Sequence, residues 1–268
     1  MLLCKHAHPQ KLSIIDALQL NEEQEYKTRR PGRIVEQTTS FNINDKETKD
    51  KMVKTFDAAG MLLTFEFYGD QDSLFARVTY VNDTLNRIKL SRTMEVWERN
   101  GPSKETSIYT YDTNNFLTES IDTDANGKTI RRTSIICNEK GHPIELSLFD
   151  GKGKFIYKER ATYFYNNNLV IRTAETKDGQ IIQGDDSSKI SLKHQINFQR
   201  PDEKYNSNGD LIQWKGNGFF DKDQMYERTY LYDEFENWIE STIFLWTTDK
   251  DGQPLKKIKQ IVKREYCY

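Results

Sequence analysis

Cysteine is scarce in this chain of 268 residues, and Cys4, Cys137 and Cys267 share no short spacing. That excludes a Cys-x-x-Cys redox pair, a zinc-type cluster and a disulfide framework, and it is compatible with a reducing interior without demanding one. Histidine is nearly as rare. His6 and His8 stand in the N-terminal tail, His142 follows a turn glycine, and His194 lies in an inserted region. None has a cysteine or acid at ligand or triad spacing, so no metal site or catalytic triad is expected. The chain also lacks a phosphate-cradling glycine loop and a nucleophile elbow. These absences predict a protein that is not an enzyme and takes no cofactor.

Long apolar runs are missing too, so no transmembrane segment is expected. Met1-Leu2-Leu3-Cys4 is too short for a signal peptide, and Leu3 argues against Cys4 as the relic of a lipoprotein cleavage site. A net charge of −2, with acids and bases interspersed, gives no nucleic-acid footprint. The Lys256-Lys257-Ile258-Lys259 run reads as a solvated strand face. Only 36% of residues are hydrophobic and mean hydropathy is −0.81, yet 12% are aromatic, which argues against disorder. A thin sheet, with much wet surface and a small core, reconciles these figures.

What the chain does have is a recurring phrase: an aromatic run, an Asp or Asn, a tight turn, then an apolar run. It reads Phe56-Asp57-Ala58-Ala59-Gly60-Met61-Leu62, Tyr111-Asp112-Thr113-Asn114-Asn115-Phe116-Leu117 and Tyr205-Asn206-Ser207-Asn208-Gly209-Asp210-Leu211. It returns as Tyr232-Asp233-Glu234-Phe235-Glu236-Asn237-Trp238-Ile239. Anchors at Asp57, Asn82, Asp112, Asn138, Asn166, Asn206 and Asp233 are spaced 25, 30, 26, 28, 40 and 27 residues apart. Self-similarity of this kind marks a repeat architecture. The long spacing holds an insertion with loop composition at Gly184-Asp185-Asp186-Ser187-Ser188.

A second turn follows 12 residues after three of the anchors, at Asp124, Asp150 and Asp178, with later versions at Asp221-Lys222-Asp223 and Asp249-Lys250-Asp251-Gly252. Asp, Asn and Gly suit positions that need positive φ or a side chain bonded to its own backbone. Between turns there is room for strands and for no long helix. Met61, Leu63, Phe65 and Phe67 share one face at period two; so do Tyr157, Glu159, Ala161, Tyr163 and Tyr165, and likewise Trp238, Thr242, Phe244 and Trp246.

The expected fold is therefore all-β: repetitive antiparallel hairpins forming one extended, curved sheet, with a short N-terminal helix. Residues 1–31 form a tail and capping helix, and residues 32–268 a single β-repeat domain of about seven hairpin units, because lone hairpins must pair with neighbours to be stable. Within Pro9 to Lys27, Leu12, Ile15 and Leu18 share a helical face. That helix is expected to cap the exposed edge of the first strand, or to serve as a tether or partner-binding element. Exposed edges at both ends would permit end-to-end association.

Two features point toward binding. Asp122-Thr123-Asp124-Ala125-Asn126-Gly127 resembles the start of a calcium loop, but Thr133 stands where a bidentate Glu is needed, so a hairpin turn is the preferred reading. Tyrosine pairs at 109 and 111, 163 and 165, and 230 and 232 each precede a turn. Stacked across copies, they form either the core or a platform for sugar rings or partner side chains. Tyr111, Tyr165, Tyr232 and Trp238 are the candidate binding residues.

The phrase Tyr230-Leu231-Tyr232-Asp233, followed by Glu234-Phe235-Glu236-Asn237-Trp238-Ile239, resembles the repeat of the Rhs or YD-repeat family, and Tyr109-Thr110-Tyr111-Asp112 repeats the signature. The copies at Asn82, Asn138 and Asn166 are degenerate. The resemblance covers the chain from Arg33 onward. It implies a curling β-repeat sheet that binds a glycan or a protein at the bacterial cell envelope or exterior. The absence of an export signal motivates a second expectation, an intracellular interaction protein of the immunity or antitoxin type.

Overall fold

The computed structural model describes the chain apart from residues 1–11, 22–25, 27–28, 43–45, 99–100, 168, 182–189, 192–202, 217–223 and 250. Cys4, His6, His8, the Gly184–Ser188 insertion, His194 and the Asp221–Asp223 turn lie outside the described residues. Among those described, the fold is the all-β arrangement of successive antiparallel hairpins with one short helix, α1 (Ile14–Gln19). The strands begin with β1 (Arg33–Phe41), β2 (Glu47–Phe56), β3 (Leu62–Tyr68), β4 (Leu74–Asp83), β5 (Ile88–Glu98) and β6 (Gly101–Tyr111). They continue with β7 (Leu117–Asp124), β8 (Thr129–Cys137), β9 (Pro143–Asp150), β10 (Phe155–Phe164), β11 (Leu169–Glu175) and β12 (Ile190–Ser191). Then come β13 (Lys204–Tyr205), β14 (Leu211–Lys215), β15 (Met225–Tyr232), β16 (Trp238–Thr248) and β17 (Pro254–Cys267). Contacts divide the chain into two compact units, one of residues 1–23, 56–66 and 75–192, the other of residues 24–55, 67–74 and 193–268.

One turn design recurs throughout. At Asp57, Asp112, Asp124, Asn138, Asp150, Thr176, Asn206, Asp233 and Asp249 the backbone N–H donates to the carbonyl four residues on, and the carbonyl accepts from the amide three residues on. The anchor's side-chain oxygen accepts the amide N–H two and four residues ahead, as at Asp150, where Lys152 and Lys154 donate at 2.9 and 2.8 Å. The residue three past the anchor is left-handed: usually Gly, but Asn115 and Glu236 in two copies. This closes a type I turn with a bulge, a usual hairpin geometry. Asp or Asn is favoured at the anchor because one side-chain oxygen can satisfy two amides the turn leaves over.

Three anchors fall elsewhere than expected. The turn ascribed to Asn82 is built on Asp83, whose Oδ1 accepts the amides of Leu85 and Asn86. Asn82 instead donates to the Leu62 carbonyl and the Asp57 carboxylate of the preceding copy, at 3.0 and 3.3 Å. Asn166 sits in a single 3-10 turn, Tyr165–Asn167. The turn ascribed to Asp178 is anchored by Thr176, whose hydroxyl accepts the Gln180 amide.

In the first unit, β4 through β12 pair consecutively. The helix does not lie along a strand edge. It packs on a sheet face, where Leu12, Ile14 and Ala17 join Tyr109, Leu117, Ile135 and Leu146 in one apolar cluster. Ser13 caps it with a reciprocal Asp16 contact, and the Ile14 amide donates to the buried Glu159 at 2.8 Å. That bond replaces an intrahelical partner the first turn lacks. Beside this cluster runs a polar row. Ser107 donates to the buried Asp122 at 2.7 Å, Arg131 Nε donates to the same carboxylate at 2.9 Å, and Arg131 reaches Glu105 at 2.5 Å. Burial pushes the Glu105 carboxyl up, against the pull of Arg131. Asp122 is thus committed to an ion pair and Asp124 to a hairpin turn, which accounts for the calcium-like phrase.

In the second unit, β13 to β17 pair in succession, and β17 then pairs antiparallel with β1 (Val262 opposite Thr38), while β1 also pairs with β2. The first strand therefore has no open edge for a helix to cap, and the last strand has none for end-to-end growth; each satisfies the other's backbone groups. A bulge between Tyr232 and Leu231 shifts the register of β16. It turns Trp238 to the face of Tyr230 and Arg228, away from Phe244 and Trp246, with which period-two counting had grouped it.

Candidate functional site

At Tyr165, Tyr232 and Tyr268 the second tyrosine of a pair ties its copy to the preceding one. Tyr165 accepts from Asn138 Nδ2 at 2.7 Å, Tyr232 from Asn206 Nδ2 at 2.7 Å, and Tyr268 from Asn237 Nδ2 at 2.8 Å. Tyr232 and Tyr268 also donate to Asp210 and Asp233, at 2.6 and 2.7 Å. The other tyrosine of each pair donates to a strand carbonyl of the earlier copy: Tyr163 to Pro143 at 2.7 Å, Tyr230 to Leu211 at 3.1 Å and Tyr266 to Trp238 at 3.4 Å. Tyr111 follows a variant, donating to the Lys89 carbonyl at 2.7 Å and accepting from Asn21. Burial pushes the phenols of Tyr111, Tyr232 and Tyr268 up to about 12, and the carboxylates facing the last two add to it.

Rings are stacked within three tyrosine pairs. Centroids lie 5.8 Å apart in Tyr163–Tyr165, 5.9 Å in Tyr230–Tyr232 and 6.1 Å in Tyr266–Tyr268. The four candidates occupy separate places. Tyr111 lies beside the segment that follows α1. Tyr165 carries Lys140 Nζ over its ring at 3.7 Å. Only Tyr232 and Trp238 belong to one surface, in the second unit.

That surface brings aromatic rings and guanidinium groups together. The Trp238 ring meets the edge of Tyr230 at 6.1 Å, with the Arg264 guanidinium at 3.7 Å and that of Arg228 at 5.4 Å. Arg228 also lies 5.0 Å from the Tyr230 ring and donates to the buried Ser241 hydroxyl at 2.8 Å. Arg264 is paired with Glu36 at 2.7 Å. Lys204, Asn206, Ile212, Arg228, Tyr230 and Tyr232 line a cleft of about 490 Å³ beside Trp238. Trp214 and Tyr226 stack at 5.3 Å on the same face of β14 and β15.

Counting Asp and Asn anchors passes over both arginines. A signal for them exists: Arg228-Thr229-Tyr230-Leu231-Tyr232 recurs as Arg264-Glu265-Tyr266-Cys267-Tyr268. The arrangement can stack planar or ring-shaped groups and bind an anion. Among the described residues there is no cluster of three or more His, Cys, Asp or Glu side chains that could hold a metal. No helix among them is long and apolar enough to cross a membrane.

No protein-family model matches the chain. No curated protein matches it either. Among solved structures, it overlaps a porin-like protein from Bacteroides uniformis ATCC 8492 at 12% identity and TM-score 0.45, over 90% of this chain and 99% of that one. It overlaps the TcdB2-TccC3-TEV structure at 11% identity and TM-score 0.22, spanning 90% of this chain but 15% of the other. At these TM-scores the overlaps assign neither a family nor a ligand to this chain.

Proposed function

We propose that this chain is a non-catalytic β-repeat scaffold of the bacterial envelope or exterior that binds a glycan on the Tyr230–Tyr232–Trp238 face. The observation that carries this reading is the fixing of those half-buried rings before any ligand arrives. Both tyrosine hydroxyls are held by groups of the preceding copy, and Trp238 is held between guanidinium groups. Rings immobilised in advance lose little entropy on binding and offer apolar faces with polar rims. The Tyr-Asp phrase that resembles Rhs repeats gains a physical reason here, since its tyrosine fastens one copy to the last.

The test is a glycan array probed with the full chain, its Tyr232→Ala and Trp238→Ala variants, and an exposed-site control, Arg160→Gln. Binding that survives in the control and falls in both ring variants supports the reading. Equal binding by all four proteins, or none by any, overturns it. Fractionation of producing cells checks the envelope placement.

A protein partner, as for an intracellular immunity-type role, is the second reading. Ile108, Ile136, Ile156 and Phe164 are each 42% to 52% exposed, on the face of the first unit opposite α1. Cytoplasmic recovery together with loss of a co-purifying partner in an Ile108→Asp, Ile136→Asp double variant would favour it.

A further inference from the structure

Resting on the glycan reading above, we infer that the cleft in the second unit selects an acidic sugar, with the sugar carboxylate seated on Arg228. The chain supplies its own comparison. Arg228 and Arg264 hold the same place in successive copies, two residues before a stacked tyrosine pair, and both flank Trp238. Arg264 faces Glu36 on the strand that follows it and is paired with that carboxylate at 2.7 Å. The corresponding position opposite Arg228, on the strand that follows β15, is Ile243. An isoleucine cannot answer the charge.

Among the described residues the guanidinium of Arg228 therefore meets no carboxylate: its hydrogen-bond partners are the neutral hydroxyls of Ser241 and Tyr230, and its buried Nε has no partner. Half-buried guanidinium groups favour a bidentate carboxylate, whose two oxygens match the fork. The other charges around the cleft, two lysines and two carboxylates, balance and leave the guanidinium in excess. Lys204 is exposed on its rim, while Glu227 is neutralised by Lys256 at 2.7 Å, and Asp210 accepts from Tyr232 at 2.6 Å. Tyr230 lies within 5.0 Å of Arg228, so a sugar ring stacked on the tyrosine pair would bring a ring carboxylate within reach of the guanidinium.

The experiment measures binding of the full chain to oligogalacturonate, hyaluronan and sialyllactose, each against its methyl-esterified form, which keeps the rings and removes the charge. Wild type, Arg228→Gln, Arg228→Lys and Tyr232→Ala are compared, with circular dichroism to confirm that each is folded. Expected is a preference for at least one acid form over its ester, reduced about tenfold or more in Arg228→Gln and only partly restored by lysine. If acid and ester bind equally and both depend on Tyr232, the carboxylate assignment is overturned and the glycan platform stands. Should no form bind, both readings fall.

Discussion

The Tyr232 hydroxyl is shared between Asn206 and Asp210, so its removal leaves two half-buried polar groups short of a partner. Tyr232→Phe is expected to lower stability by about 1–2 kcal/mol in urea unfolding, while keeping the ring available for stacking. Trp238 is half-buried, which places Trp238→Ala at about 2–3 kcal/mol, below the cost for a fully buried tryptophan. A cost near zero would show that the Arg264 and Tyr230 contacts hold nothing in place. The Tyr-Asp phrase could be read from the sequence because turn chemistry is local. What the tyrosine hydroxyl bonds to could not, since its partners lie 22 and 26 residues earlier. The paired arginines were visible as a repeat of Arg-x-Tyr-x-Tyr, but their difference was not: one meets Glu36 only because β1 lies beside β17.

At the scale of the hairpin, Asp150-Gly151-Lys152-Gly153 contains two glycines with different reasons. Gly153 is left-handed at φ +79 with open space around it, so Gly153→Ala is expected to cost about 1 kcal/mol, the price of the backbone conformation alone. Gly151 has no such φ, but a Cβ there would lie 2.2 Å from the Thr129 carbonyl oxygen. Backbone cannot give way cheaply, and Gly151→Ala is expected to cost about 2–3 kcal/mol. Thermal unfolding of the two variants checks the order, and a larger loss at Gly153 would refute it. The sequence announces the turn but not which glycine is held by contact. Bulges obscure strand faces for a related reason. One extra residue inverts the alternation, which is why Trp238 was grouped with Phe244 although it faces Tyr230.

Across the whole chain, the hairpins were legible and the long-range pairings were not. Nothing periodic in the sequence joins β1 to β17 across more than two hundred residues, or sets α1 on β9 and β10. Tyrosines recur in both units, and their ionisation should report on the fold as a unit. Burial raises the phenols of Tyr111, Tyr157, Tyr232 and Tyr268 to about 12, and those of Tyr109, Tyr163 and Tyr230 also rise. An unfolded tyrosine titrates near 10. A group whose folded pKa lies above that value contributes stability that is fully present below about pH 10 and is lost as pH rises toward about 12. Acid acts on other groups. Asp150 is held low chiefly by the Lys154 amide; Asp233 is held low, despite burial, by the Tyr268 hydroxyl and the Asn237 and Phe235 amides. Their contribution is present above about pH 4 and fades as pH falls through the depressed values. Absorbance at the tyrosinate band, followed with far-ultraviolet circular dichroism from neutral pH upward, separates the cases. Phenol ionisation is expected to lag behind free tyrosine and then to coincide with loss of strand signal. Smooth ionisation centred near pH 10, with the strand signal intact, would mean that these hydroxyls are not holding successive copies together.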